Sequence, residues 1–123
     1  MRVTATFLLI VLGISAPATA AIRCYGGALS DYGPSLELRA KLKLGPSTIR
    51  GTVRCLPAPG IRCLFKRARG VLAYLGTGEV RGVLRGQGTA CLVEATPTGA
   101  SLAGRYSCSG RKGSDSGFFV LDC

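Results

Sequence analysis

Between Ser35 and Leu44 apolar and polar residues alternate without a break. Leu36, Leu38, Ala40, Leu42 and Leu44 fall on one parity, and Glu37, Arg39, Lys41 and Lys43 on the other. A period of two sends successive side chains to opposite faces of a strand, so one face is buried and the other is wet and charged. A helix would scatter those leucines around its axis. Gly45-Pro46-Ser47 interrupts the pattern, and it resumes over Thr48–Leu56 with Ile49, Gly51, Val53 and Cys55 on one face. Leu56-Pro57-Ala58-Pro59-Gly60 reads as a turn, because proline cannot donate to a central ladder. Further strands are predicted at 61–66, 71–75, 79–85, 89–96, 101–109 and 117–123, with turns at 67–70 and 76–78. Short strands separated by Gly- and Pro-rich turns predict an all-β fold, a small antiparallel β-barrel or β-sandwich of about seven or eight strands.

Three segments share one frame: Ile49-Arg-Gly-Thr-Val-Arg-Cys55, Val80-Arg-Gly-Val-Leu-Arg-Gly86 and Leu102-Ala-Gly-Arg-Tyr-Ser-Cys108. In each, the first, third, fifth and seventh residues face one side, and the third is glycine. An inward glycine leaves room for a facing side chain or lets the strand bend, as at the corners of closed barrels.

Ahead of the strands, Arg2, the apolar run 7–14 and Ala18-Thr19-Ala20 have the three-part pattern of a secretory signal peptide. The run is shorter than the roughly 20 residues that span a bilayer. Cleavage near Ala20 leaves 21–123 as one domain, expected in the periplasm or outside the cell. Loss of Arg2 takes the net charge from +10 to about +9. A domain this small, with no Trp and many glycines, has little core and needs covalent staples. Six cysteines, at 24, 55, 63, 91, 108 and 123, provide three. Metal binding is disfavoured, since the chain has no histidine and no C-x-x-C pair. Cys55 and Cys63 lie symmetrically about Pro59 and would face each other in a hairpin centred there, as Val53 would face Phe65. Cys24 and Cys123 sit near the two ends of the mature chain. That leaves Cys91 with Cys108, with Cys108–Cys123 across the last hairpin as the rival.

The missing histidine also removes Ser-His-Asp, Cys-His and His-based acid–base chemistry. The six acids, Asp31, Glu37, Glu79, Glu94, Asp115 and Asp122, show no spacing that marks a catalytic pair, and Asp115 reads as a turn residue. The glycine-rich segments 76–82 and 82–88 lie between strands with no helix to follow, so they are turns and not phosphate loops. No enzyme and no cofactor is expected.

What remains is charge. Arg39, Lys41 and Lys43 share the outer side of one predicted strand, and Arg50 and Arg54 that of the next. Arg62, Lys66, Arg67 and Arg69 crowd the turn after the strand predicted at 61–66. If these strands are neighbours, their outward sides fuse into one cationic face. The expected function is a non-catalytic binding module for an anionic ligand: a cell-envelope polymer, lipid headgroups or an acidic protein. Nucleic acid is less favoured because no aromatic residues interleave with the charges. The alternative is a cationic antimicrobial or toxin acting on anionic membranes, which needs an apolar surface beside the charge, for instance one ring of Phe118-Phe119.

Overall fold

The computed structural model describes residues 21–33, 35–60 and 62–123; the expected signal peptide at 1–20 lies outside them. Eight strands follow one another: β1 (Ile22–Ser30), β2 (Ser35–Leu44), β3 (Thr48–Leu56), β4 (Arg67–Tyr74), β5 (Val80–Gly86), β6 (Thr89–Thr98), β7 (Ser101–Gly110) and β8 (Gly113–Asp122). Each pairs antiparallel with the next, and β8 returns to β1, from Tyr25 opposite Asp122 to Ser30 opposite Gly117. The sheet is a closed barrel and not a sandwich. The parity that the sequence marks as apolar faces the lumen: Leu38, Ala40 and Leu42 on β2, Ile49, Val53 and Cys55 on β3, Phe119 and Leu121 on β8. On β2 and β3 the charged parity faces out. A barrel that spans a membrane has the opposite polarity, apolar outside and polar within.

Three disulfides staple the barrel. Cys91 and Cys108 are directly opposite in the β6–β7 register and bridge across it, with Cα atoms 3.9 Å apart. Cys24 of β1 joins Cys123, just beyond β8, and so clasps the closing strand pair; the rival Cys108–Cys123 pairing is excluded. Cys55 joins Cys63.

The route to that last bridge differs from the hairpin expected. Residues 62–66 form a loop and not a strand, and β4 runs through 67–70, where the pattern predicts a turn. Val53 faces Ala68, not Phe65, so the β3–β4 ladder closes later in sequence and Cys63 reaches Cys55 from the loop, at a Cα separation of 6.0 Å. The misleading residue is Gly70. A Cβ there would stand 2.0 Å from the carbonyl oxygen of Val83 on β5, so this glycine permits close approach of two strands and does not mark a turn. The alternation marks no strand before Ser35, where the structure has β1, and β8 begins at Gly113 instead of 117.

The repeated inward glycine has the same origin on β7. A Cβ on Gly104 would lie 2.0 Å from the Glu94 carbonyl oxygen and 2.6 Å from Ala95 Cα, both backbone atoms of β6. At Gly51 it would meet only the end of the Leu42 side chain, at 3.1 Å. Gly104→Ala should therefore destabilise the barrel by about 3 kcal/mol or more, at or beyond the usual range for overpacking, while Gly51→Ala should cost within about 1 kcal/mol; urea denaturation separates the two. The bridges should also differ. Cys24–Cys123 closes a loop of 99 residues and Cys55–Cys63 one of 8. Replacing the first pair by Ala should cost roughly 2 kcal/mol more than replacing the second, if constraint of the unfolded chain dominates. Equal losses would assign the stabilisation to native contacts instead.

Candidate functional site

The strand registers turn the alternating cations of the sequence into rows. Arg39 lies opposite Arg54, and Arg54 in turn opposite Arg67. Lys43 lies opposite Arg50, Arg23 opposite Lys41, and Arg69 opposite Arg85. All of these side chains are exposed. Like charges directly opposite one another destabilise a sheet, and here the arrangement recurs across β1 to β5. Among the described residues the ion pairs are Arg81–Glu94 at 2.7 Å and Arg105–Asp31 at 3.4 Å, and neither involves a cation of these rows. Arg39 also sits over the Tyr25 ring, 5.7 Å from its centre.

Of the nine cations that the sequence singles out, Arg39, Lys41, Lys43, Arg50, Arg54, Arg67 and Arg69 share this face. Arg67 and Arg69 belong to strand β4 itself rather than to a turn. Arg62 and Lys66 stand apart, on the loop at the barrel end. Arg23 and Arg85 extend the face onto β1 and β5. Arg85 was within reach of the alternation, since Leu84 beside it faces inward; Arg23 lies on a strand with two glycines and no strict alternation.

The lumen holds a feature with no counterpart in the sequence reading, an apolar cavity of about 300 Å³. Eight strands make a barrel just wide enough to be filled by side chains or to hold one small ligand. Here many inward positions are Ala, Gly or Val, and among the described residues Phe119 is the only aromatic ring fully inside. Ile49, Val80 and Cys24 close one end. The cavity opens at the other end, where exposed Tyr32, Arg62 and Ser114 join its wall.

At this mouth Asp115 projects inward. It follows the parity of Gly117 and Phe119 on β8, which the later strand start predicted from sequence had concealed. One carboxylate oxygen accepts a hydrogen bond from the Ser30 hydroxyl at 2.5 Å, and the other from the Tyr106 hydroxyl at 2.9 Å. Ser30 Oγ accepts from the Tyr32 N–H at 3.1 Å. Ser30 is only 5% exposed, so the network is part of the barrel interior. Partial burial, then the hydrogen bond and negative charge of Asp115, push the Tyr106 phenol well above its ordinary value near 10. Tyr106 is thereby held as a neutral donor.

The 62–66 loop borders the same mouth. Cys63 tethers it to β3, and the Gln87 side-chain oxygen accepts from the N–H groups of Lys66 at 2.7 Å and Arg67 at 3.2 Å. Thr89 donates to the Leu64 carbonyl at 3.2 Å. Leu64 and Phe65 thus pack against the core and complete the cavity wall.

The Tyr106 shift has a definite sign for stability. The unfolded chain releases this proton near pH 10, and the folded chain only at higher pH. The contribution of the neutral phenol is therefore complete below pH 10 and declines as the pH rises above it. Wild-type stability, followed by urea denaturation between pH 9 and pH 11, should fall more steeply than that of Tyr106→Phe. Parallel profiles would remove Tyr106 from the alkaline transition.

Neither comparison with protein-family models nor comparison with curated proteins finds a match.

Proposed function

We propose that the protein is a non-catalytic binding module of the periplasm or extracellular space, and that its cationic face holds an extended anionic polymer of the cell envelope. The observation that carries this reading is the register of like charges, Arg39–Arg54–Arg67 with Lys43–Arg50 and Arg69–Arg85 beside it. Such rows cost stability, and a polyanion that bridges them would turn the cost into affinity. Strand geometry spaces these charges by roughly 5 Å between strands and roughly 7 Å along them, a regular grid suited to repeating phosphate or carboxylate groups. The face is also curved, because it is the outside of a barrel. A flexible polymer follows that curvature, whereas a flat bilayer reaches only part of it. Guanidinium groups add bidentate contacts to phosphate or carboxylate.

One observation favours a second reading, action on anionic membranes. Leu29 on β1 lies opposite Phe118 on β8, and Val120 is nearby; all three are exposed. Phe118 is the outward ring of the Phe118-Phe119 pair, and Arg105 covers it at 4.3 Å. This cluster adjoins the cationic face through β1, as an interfacial binder requires.

Arg50→Glu with Arg54→Glu tests both readings. The double reversal converts the Arg54 contacts with Arg39 and Arg67, and the Arg50 contact with Lys43, into opposite-charge pairs. It should raise stability by a few tenths to about 1 kcal/mol while lowering affinity for linear polyphosphate at least tenfold. Wild-type binding should weaken steeply from low to physiological salt, where the Debye length is about 8 Å. Salt-independent binding, or a reversal that unfolds the barrel, would make these arginines structural. Tighter binding to phosphatidylglycerol vesicles than to polyphosphate would favour the membrane reading.

A further inference from the structure

We propose that the barrel lumen is a second binding site, independent of the cationic face, and that it takes a small apolar alcohol with its hydroxyl at the Asp115 end. The first ground is volume. A dry apolar cavity of about 150 Å³ holds a benzene molecule, so the 300 Å³ lumen matches roughly twice that carbon count, about ten to twelve carbons. Its wall is apolar over most of its area, formed by residues such as Leu38, Val53, Leu72, Leu84 and Val93. That wall lacks packing partners across the void, and an apolar occupant would supply them.

The second ground is the polarity of the mouth. Ser30 and Tyr106 both use their hydroxyl protons on Asp115. The Asp115 carboxylate retains unused acceptor positions, and the Tyr106 oxygen retains lone pairs. Both residues line the cavity. At Asp115 this network leaves acceptors and no free donor, the donors of Tyr32, Arg62 and Ser114 belonging to the exposed rim, so a head group seated on Asp115 is a hydrogen-bond donor. A carboxylate head would meet the Asp115 carboxylate and be repelled. An ammonium head would have to pass Arg62 at the rim of a strongly basic protein. A neutral hydroxyl meets neither obstacle. Apolar wall with a few convergent polar groups is the usual composition of a small-ligand site.

The mature, fully oxidised chain can be titrated calorimetrically with decan-1-ol, decanoate and decylammonium at low and at physiological salt. Decan-1-ol should bind one to one, at least tenfold more tightly than either charged analogue, and with no salt dependence. Leu84→Phe, which fills the lumen, should weaken decan-1-ol binding at least tenfold, and Tyr106→Phe should narrow the preference for the alcohol. Arg50→Glu with Arg54→Glu should bind decan-1-ol as wild type does, so failure at the lumen and failure at the cationic face are told apart. The comparison of ligands on wild type stands even if Leu84→Phe does not fold. Decanoate binding as tightly as decan-1-ol, or no saturable binding of decan-1-ol by the folded wild type, would overturn the proposal.

Discussion

The pairing of β1 with β8 makes every other feature of the molecule possible. Until those strands meet, the sheet has two open edges and no inside. Once they meet, Ser30 of the first strand stands beside Asp115 of the last, and the inward parity of all eight strands shares one lumen. Bringing together segments so distant in sequence costs chain entropy, which grows slowly with loop length. The Cys24–Cys123 bridge, at the end of that same strand pair, removes much of this entropy from the unfolded chain. Closure also leaves the eight described strands without an unpaired edge for association with another chain.

Inside and outside then carry opposite tensions. Glycines let neighbouring backbones approach closely, so the strands curve tightly, but small inward residues leave the interior unfilled. The exterior gathers cations into directly opposed pairs that a sheet optimised for stability would avoid. Both features depart from the most stable arrangement, one by underpacking and the other by repulsion. Departures of this kind concentrate where a protein binds something.

The end of the barrel with the 62–66 loop is where the two surfaces come closest. Arg62 lines the mouth of the cavity, while Arg67, at the end of the same loop, begins the β4 row of the cationic face. The loop is held from three sides, by Cys55, Gln87 and Thr89, so its apolar residues stay packed over the core. The Ser30–Asp115–Tyr106 network is fixed by closure on one side and by the β7–β8 hairpin on the other.

The sequence by itself determined the strand class and the inward and outward faces of β2 and β3; it favoured the three disulfide pairings but left Cys108–Cys123 open as a rival, excluded only by the Cys24–Cys123 bridge. It also determined that Arg39, Lys41, Lys43, Arg50 and Arg54 face out, because alternation is a local property with a period of two. What it left undecided depends on contacts between distant segments. Gly70 reads as a turn locally, and only its approach to Val83 on the neighbouring strand shows why a glycine lies within β4. Asp115 reads as a turn residue until its cross-barrel partners Ser30 and Tyr106 are in place. Barrel and sandwich share one alternation, so the choice between them waits on β1 meeting β8. The cavity is the least legible feature of all. A void belongs to no residue; it is the difference between the width set by eight closed strands and the volume of the side chains pointing into it.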